Sequence, residues 1–241
     1  GEVSGLGVNS ITTSDQGAQN QLAILKTDAV ATIFGELGSG NEILTVPSIK
    51  VGCPSHKTIV NSAFGLIFTG NDSVYILDQG GGEPNDIGAE LGSEIRDSGN
   101  LSAAAGEIFN GFYHLSIAAP GQVVNSREWM LSLNPHMFPQ QRHWYGPHTG
   151  DKVSDYTVFS NQLHAAEEEI TSLWRMMVPG SNLSMSSQVR ARSVKLVTPK
   201  ITTSDLRATL FDALGITALG SRVTVTVEVS PKSQLLSTGS G

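Results

Sequence analysis

A short pattern of two apolar runs around a polar turn returns four times along the chain, and it constrains the fold more than any other feature. The pattern is clearest at residues 65–77, which read GLIFTGNDSVYIL. Related stretches begin at Asn20, Gly106 and Asn161 and read NQLAILKTDAVATIF, GEIFNGFYHLSI and NQLHAAEEEITSLW. Asn, Asp and Gly tolerate the backbone angles that tight turns demand. Each copy is therefore predicted to be a β-hairpin.

The copies can be aligned on one apolar residue each, namely Leu22, Leu66, Ile108 and Leu163. A period of roughly 40 to 55 residues with four short strands per unit is typical of the blades of a β-propeller. Helical repeats of similar length are disfavoured, because Gly, Asn and Thr interrupt the apolar runs. The sequence thus predicts an all-β, β-propeller-like array of about four four-stranded blades, followed by a C-terminal antiparallel β segment.

The strands of the middle units can be assigned from their apolar runs. In the second unit they are HKTIVNSA, GLIFTG, SVYILDQ and a looser IGAELGSEI, and in the third they are AGEIFNG, FYHLSIAA, REWMLSLN and RHWYGPH. The stretch NQLHAAEEEITSLWRMM also fits a helix with Leu163, Ile170 and Trp174 on one face, but its place in the repeat favours a hairpin. The insertion at 133–155, rich in Pro and His, is predicted to be a loop.

The character of the sequence changes after about residue 188. VRARSVKLVTP and SRVTVTVEVS alternate apolar and polar residues, which predicts strands. The basic RARSVK is interpreted as the solvent face of a strand rather than a phosphate site. The predicted organisation is a propeller-like region at 1–188, a C-terminal β segment at 189–232 and a disordered tail at 233–241.

Composition argues against several partners. The net charge is −7 and the isoelectric point is about 5.3, so nucleic-acid binding over a broad surface is not expected. No apolar run approaches the roughly 18 residues of a membrane span. Cys53 is the only cysteine and cannot form an internal disulfide. It is predicted to be a buried or inert thiol rather than a nucleophile.

Catalytic signatures are missing from the sequence. It contains no G-x-S-x-G elbow, no H-E-x-x-H, no Walker loop and no G-x-G-x-x-G. The glycine run DQGGGEPND is followed by neither a helix start nor a lysine, which favours a loop over a phosphate cradle. A glycosidase or lyase would need paired carboxylates, for which Glu167, Glu168 and Glu169 qualify by type alone. They are interpreted as a solvated turn, so neither enzymatic activity nor a cofactor is expected.

Metal sites are not expected either. His136, His143 and His148 lie close together in the chain, but their spacing does not match a compact zinc motif. Asp28 and Asp72 occupy equivalent turns with one carboxylate each, which suits turn chemistry better than calcium binding.

Aromatic residues concentrate at the predicted strand ends, at Trp129, Trp144, Tyr145 and Trp174. They either pack between neighbouring blades or form a platform that stacks on sugars or on a partner protein. The tripeptide His143-Trp144-Tyr145 is the most distinctive. The candidate binding residues are His136, Arg142, His143, Trp144, Tyr145 and His148.

A resemblance to a known family rests on the stretch VGCPSHKT and the hairpin that follows it. The chain resembles the β-propeller structural proteins of tailed bacteriophages, found in tail nozzles, tail hubs and neck components. In that family a G-[CA]-x-S-x-[KR]-[ST] stretch precedes an apolar strand, a polar turn and a V-Y strand. The matching positions here are Gly52, Cys53, Ser55, Lys57, Thr58, Gly65, Leu66, Phe68, Asp72, Val74 and Tyr75. RARSVKLV and SRVTVTVEV look like the family's closing strands, and the resemblance covers most of 20–230.

The resemblance implies a non-enzymatic structural protein of the virion tail or neck, made in the host cytoplasm. Such a protein docks other tail subunits and forms a homo-oligomeric ring. From their length and composition, the loops Pro135–Asp155 and Gly80–Asn100 are expected to make the contacts. Propellers of this family have more than four blades, so the chain is expected to be a fragment or to be completed by another chain or by copies of itself. The alternative is a carbohydrate- or receptor-binding module for host attachment, in which Trp144 and Tyr145 stack on a host glycan.

Overall fold

The computed structural model describes residues 1–13, 17–35, 40–79, 82–149, 151–167, 173–176, 182–184, 189–190 and 193–194. The chain divides into two compact units, Gly1–Val197 and Thr198–Gly241. The second unit lies outside the described residues, and so do the predicted strand SRVTVTVEVS and the predicted tail at 233–241.

The first unit contains four antiparallel sheets that follow one another along the chain. Sheet 1 consists of β1 (Val3–Thr13), β2 (Gly17–Lys26), β3 (Val30–Phe34) and β4 (Ile43–Ser48). Sheet 2 consists of β5 (Val60–Ser62), β6 (Gly65–Thr69), β7 (Val74–Asp78) and β8 (Asn85–Asp86). Sheet 3 begins with β9 (Ala105–Phe109), β10 (Phe112–Ala118), β11 (Asn125–Ser132) and β12 (Trp144–Thr149). Sheet 4 consists of β13 (Val153–Phe159), β14 (Gln162–Glu167), β15 (Leu173–Arg175), β16 (Asn182–Ser184) and β17 (Val189–Arg190).

One later strand does not pair with the strand that precedes it in the chain. β18 (Ser193–Val194) pairs with β12 and becomes the fifth strand of sheet 3. The part of the predicted C-terminal segment that is described therefore extends sheets 3 and 4. Helices are short: α1 spans Gly92–Arg96, and 3-10 turns lie at His56–Thr58, Ala89–Leu91 and Leu101–Ala103. Within the described ranges, no helix has the length and apolar character needed to cross a membrane.

All four predicted hairpins are present. The first copy pairs β2 with β3, the second pairs β6 with β7, and the fourth pairs β14 with β15. In the second copy, the amide of Gly70 donates to the carbonyl of Ser73 at 2.8 Å and closes the turn. In the third copy, Asn110 and Gly111 both have positive φ angles, at 50° and 78°, as a tight two-residue hairpin turn requires. The mostly β class is confirmed, and the helical alternative for the fourth copy is wrong.

Three details of the sequence-based assignment are wrong. Ile108 lies in the first strand of its sheet, whereas Leu22, Leu66 and Leu163 lie in second strands. The strong Asn-Gly turn marks a different hairpin in sheet 3 than in the other sheets, which explains the shift. The predicted fourth strand IGAELGSEI is a 3-10 turn followed by α1, because β8 is already complete at Asp86. The predicted loop at 133–155 holds β12 and the start of β13.

The sheets pack face to face in chain order. The first strand of each sheet contacts the first strand of the next, so that β1, β5, β9 and β13 form a continuous series. Three buried clusters lie between successive sheets and join sheet 1 to sheet 2, sheet 2 to sheet 3, and sheet 3 to sheet 4. Sheet 2 is buried on both faces: Leu66 and Phe68 belong to the first cluster, while Ile67 belongs to the second. Apolar runs without alternation are what a sheet covered on both faces requires.

The 51–58 segment, which connects sheet 1 to sheet 2, ties the sheets together through hydrogen bonds. The amide of Cys53 donates to the carbonyl of Lys26 in sheet 1 at 2.7 Å. The hydroxyl of Ser55 donates to the carbonyl of Ala104, beside the first strand of sheet 3, at 2.6 Å. Both contacts satisfy buried groups that would otherwise destabilise the fold.

Two further residues of the 51–58 segment reach the remaining sheets. The amide of Thr69 in sheet 2 donates to the hydroxyl of Thr58 at 3.1 Å. The ammonium of Lys57 donates to the carbonyl of Ser154 in sheet 4 at 2.9 Å. One short segment therefore contacts all four sheets. These hydrogen bonds explain why the segment carries Ser55, Lys57 and Thr58.

Candidate functional site

The insertion that carries the predicted binding residues is anchored in the protein core. Phe138 is almost completely buried and packs edge to face against Phe64, with ring centroids 4.9 Å apart. The amides of Met137 and Phe138 both donate to the carbonyl of Asn134. His136 lies exposed on this turn. The Pro-rich part of the insertion is thus an ordered turn over the cluster between sheets 2 and 3.

Trp144 is a packing residue with one polar contact. Its indole N–H donates to the carbonyl of Ile87 at 2.9 Å. Its ring meets Tyr113 edge to face, with centroids 6.5 Å apart, and packs against the cluster between sheets 2 and 3. These contacts agree with the interpretation that Trp144 packs between neighbouring sheets.

Tyr145 points to the other side of β12. Successive residues of a strand alternate between the two faces of the sheet, so Trp144 and Tyr145 face opposite ways. Tyr145 is 40 % exposed and contacts the ring of Phe112 at a centroid distance of 6.1 Å. The two aromatic residues therefore do not form one platform for a sugar ring.

The remaining candidates are also dispersed. His143 is exposed and Arg142 is partly exposed just before β12, while His148 is buried near the end of that strand. Among the residues that the structure describes, no group of three or more His, Cys, Asp or Glu could hold a metal ion. Of the six residues proposed from sequence, Trp144, Tyr145 and His148 thus lie on β12 and cover both faces of sheet 3, while the other three precede that strand.

Two of the carboxylates considered earlier have local roles. Asp72 accepts a hydrogen bond from the hydroxyl of Tyr75 at 2.8 Å, and Asp28 pairs with the N-terminal ammonium at 3.2 Å. Glu167 ends β14 and is buried, so its assignment to a solvated turn is wrong. Glu168 and Glu169 lie outside the described residues, as do the first two glycines of DQGGGEPND.

A buried polar layer between sheets 3 and 4 was not predicted. The imidazole of His114 lies 3.0 Å from the carboxylate of Glu128, and the hydroxyl of Tyr156 in sheet 4 donates to the same carboxylate at 3.1 Å. His114 is fully buried and Glu128 is 3 % exposed. Buried charges need such partners, because desolvation of an unpaired carboxylate is costly.

Asn125 extends this layer. Its amide nitrogen donates to the carbonyl of Ala103 at 2.6 Å and to that of Val153 in sheet 4 at 2.8 Å. Glu128 lies opposite Ser116 on one side and His148 on the other, so polar groups continue across three strands. The sequence signal was the alternation in FYHLSI, where His114 and Ser116 occupy the face opposite Tyr113. The layer joins two sheets through directed hydrogen bonds, and its burial keeps it out of reach of a substrate.

Cys53 behaves as predicted from the sequence. Its side chain is fully buried in the cluster between sheets 1 and 2. Desolvation by burial raises the pKa of the thiol to about 11, despite hydrogen bonds with Thr58 and Ser55 that lower it. The thiol is therefore protonated at neutral pH, which opposes a nucleophilic role.

The outer face of sheet 1, directed away from sheet 2, is the second feature that sequence analysis missed. Its two end strands carry Leu6, which is 62 % exposed, and Leu44, which is 63 % exposed. Exposed aliphatic side chains scattered singly are ordinary, but a contiguous group marks an interaction site for a protein, a membrane or a ligand. The aliphatic residues that the strand pairs place on this face are Leu6, Val8, Leu22, Ile24, Ala31, Ile33 and Leu44.

Comparison with known proteins does not assign this chain. No known protein family and no curated protein sequence matches it. The outer face of sheet 1 and the order of the sheets are therefore the basis for proposing a function.

Proposed function

We propose that the chain is a non-enzymatic structural component of a bacteriophage tail or neck, assembled into the virion after synthesis in the host cytoplasm. The observation that carries this proposal is the aliphatic outer face of sheet 1. A surface of that composition stabilises a complex by leaving water, and its aliphatic side chains supply no polar group to orient a small substrate. Its chemistry therefore fits docking of another protein subunit.

The order of the sheets supports a β-propeller-like framework. Four antiparallel sheets follow one another in the chain, each starting with a strand that contacts the first strand of its neighbour. Radial repetition of small antiparallel sheets around their first strands is the arrangement of propeller blades. A rigid array of this kind presents its open faces and loops to several partners at once.

The residues that carry the phage-family resemblance have framework roles. Cys53, Lys57 and Thr58 bond to sheets 1, 4 and 2, and Ser55 bonds to Ala104 just before sheet 3. A motif whose hydrogen bonds join neighbouring sheets suits a shared framework better than a catalytic centre. This favours common architecture with phage tail proteins.

The proposal predicts that the chain is present in purified virions and that its incorporation depends on the outer face of sheet 1. In a phage that encodes the chain, Leu44→Asp should reduce incorporation strongly, because a buried carboxylate without a partner disrupts an apolar contact. Quantitative mass spectrometry of purified particles measures the amount of the chain relative to the major capsid protein.

Val123→Asp is the matched control, because Val123 is also an exposed aliphatic residue, at 68 %, and lies outside sheet 1. That variant should be incorporated normally. If neither the wild-type chain nor the control is found in particles, the virion assignment fails. If Leu44→Asp is incorporated as well as wild type, the outer face of sheet 1 is not the docking surface.

A further inference from the structure

β4 is an edge strand of sheet 1 whose side chains are uncovered on both faces. Within the described ranges, it pairs with β3 on one side and with no strand on the other. Ile43, Leu44 and Val46 are 61 %, 63 % and 55 % exposed. An edge strand offers unpaired backbone N–H and C=O groups to a strand of another chain. On β4, burial of the apolar side chains would add to those hydrogen bonds.

The corresponding edges of the other sheets are either paired or short. In sheet 3, β12 pairs on its far side with β18, which comes from a later part of the chain. In sheet 2, β8 has only two residues, and one of them is Asp86. In sheet 4, β17 also has only two residues. Short length and charge protect a sheet edge from pairing. β4 lacks this protection, because residues 43–46 read ILTV and carry no charge.

A second copy of β4 fits this edge in one antiparallel register. Residues opposite each other across an antiparallel pair lie on the same face of the sheet. With Leu44 opposite Leu44 of the second copy, Ile43 lies opposite Thr45, and Pro47, which has no N–H, stays outside the paired stretch. A register centred on Thr45 would place Pro47 opposite Ile43, and one centred on Ile43 would place Glu42 opposite Leu44. The register centred on Leu44 avoids both.

This register also joins the aliphatic outer faces of the two copies. On one copy, a row of opposed residues crosses the four strands from Val8 through Leu22 and Ile33 to Leu44. Opposed Leu44 side chains continue that row into the second copy. The adjacent row on the same face consists of Leu6, Ile24 and Ala31.

The area of this face explains why a second copy is needed. Four strands about 4.8 Å apart and two rows about 7 Å apart give the apolar face of one copy an area of roughly 300 Å². A standard protein interface covers about 800 Å² on each partner. Two copies joined through β4 present twice the area of one, which is closer to what a stable complex with another protein requires.

We propose that β4 pairs with β4 of a second copy of this chain, antiparallel and centred on Leu44, and that the two joined sheets form the docking surface for another tail protein. The proposal rests on the function proposed above and deepens it, because it names the element that completes the docking surface. The contact is isologous, so it closes with two copies. A ring of more copies requires a further contact elsewhere on the chain.

Disulfide trapping tests the register directly. Leu44→Cys places two thiols opposite each other, and the Cα atoms of opposed antiparallel residues lie about 4.5 to 5.5 Å apart, a distance that a disulfide spans. Oxidation of the purified full-length variant with copper phenanthroline should give a covalent dimer with twice the mass of the 25.5 kDa chain. Val123→Cys, at a site that is 68 % exposed and outside sheet 1, should stay monomeric. The wild-type chain controls for Cys53, which is fully buried.

A second pair of variants distinguishes pairing of the strand edges from contact of the outer faces. Ile43→Cys and Thr45→Cys should each stay monomeric alone, since each residue lies about 8 Å from its own copy in this register, too far for a disulfide. Mixed in equal amounts, they should form a disulfide, because Ile43 and Thr45 lie opposite each other. A disulfide at Leu44 with none between Ile43 and Thr45 would overturn the proposal.

Charged substitutions test the two-fold symmetry of the contact without a disulfide. Sedimentation of the wild-type chain should show association towards twice 25.5 kDa as the concentration rises. Leu44→Lys and Leu44→Asp each place like charges opposite each other, and each should weaken association at least about tenfold. Mixed in equal amounts, the two variants should associate again, because Lys then lies opposite Asp. A mixture that stays monomeric, although circular dichroism shows both variants folded, would overturn the contact centred on Leu44.

Leu6→Asp separates this inference from the proposed function. Leu6 lies on β1, at the other end of the outer face from β4, and is 62 % exposed. The substitution should leave the disulfide at Leu44→Cys unchanged and should reduce incorporation into virions. If Leu44→Cys forms no disulfide but incorporation still depends on Leu6, the pairing of β4 is wrong and the proposed function stands. If the disulfide forms but the chain is missing from purified particles, the pairing is supported and the proposed function fails.

Discussion

Sheet 3 packs against a neighbour on each side, and its two interfaces differ in chemistry. Towards sheet 2 it presents Tyr113, Leu115 and Ile117, which are fully buried in an apolar cluster. Towards sheet 4 the alternate residues of the same strand, His114 and Ser116, are buried beside polar groups. Apolar contact is non-directional and scales with area, whereas hydrogen bonds require a particular geometry. Both interfaces contain buried apolar residues, and we expect the hydrogen bonds of the second also to favour one partner sheet and one register.

The largest expected effect comes from the apolar interface. Leu115→Ala removes a fully buried side chain and leaves a cavity, so the free energy of unfolding should fall by about 3 kcal/mol. Urea unfolding followed by tryptophan fluorescence measures the change. Val123→Ala is the control: Val123 is 68 % exposed, and its truncation should change the stability by less than about 0.5 kcal/mol. A loss at Leu115 as small as that of the control would contradict the assigned packing.

The polar interface should respond differently to the loss of one partner. Glu128→Ala leaves His114 and Tyr156 buried without their shared acceptor, and should cost about 2 to 3 kcal/mol. Glu128→Gln keeps a carbonyl acceptor at the same position, so it should cost clearly less. Urea unfolding of both variants measures the two losses in the free energy of unfolding. Equal losses would show that a neutral acceptor of the same shape does not replace the carboxylate in this interface.

The hairpins and the order of the sheets were predictable, because local turn chemistry and short apolar runs determine them. The Asn110-Gly111 turn has the positive φ angles that this dipeptide favours. The polar turn after Thr69 also lies where the sequence placed it. These signals act over a few residues and need no knowledge of distant contacts.

The polar layer and the outer face of sheet 1 could not be predicted in the same way. Alternating polar residues such as His114 and Ser116 usually indicate a solvent face, and only the packing of sheet 4 shows that this face is buried. Trp144 was recognised as distinctive, but its hydrogen bond to Ile87 joins positions far apart in sequence. Burial is a property of neighbouring sheets, so one strand's sequence does not determine it.

The pH dependence of stability offers a third test, through a titratable group inside an apolar interface. Burial raises the pKa of Cys53 from 9.0 to about 11. The folded state binds the thiol proton more tightly than the unfolded state. The contribution of this proton to the free energy of unfolding is therefore complete below pH 9.0 and is lost as the pH rises towards 11. By pH 10 the loss should be roughly 1.4 kcal/mol.

Urea unfolding of wild type and Cys53→Ala at a series of pH values isolates this contribution. The variant lacks the thiol, so the difference in stability between the two proteins should narrow as the pH rises. A constant difference would mean that the thiol titrates alike in the folded and unfolded chains, and the interface would then be less apolar than its packing indicates.

The smallest effect compares one substitution at both interfaces. Tyr113 donates its hydroxyl to the carbonyl of Thr58 at 3.2 Å, and Tyr156 donates its hydroxyl to the carboxylate of Glu128 at 3.1 Å. Loss of a hydrogen bond to a neutral acceptor costs about 1 kcal/mol, and loss of one to a charged acceptor costs somewhat more. Tyr156→Phe should therefore destabilise the chain more than Tyr113→Phe, by roughly 1 kcal/mol. Urea unfolding measures both, and the double variant tests whether the losses add. If Tyr113→Phe destabilises the chain more than Tyr156→Phe, the stronger polar contact lies between sheets 2 and 3. The two interfaces of sheet 3 would then differ in the apolar area that they bury and not in the strength of their hydrogen bonds.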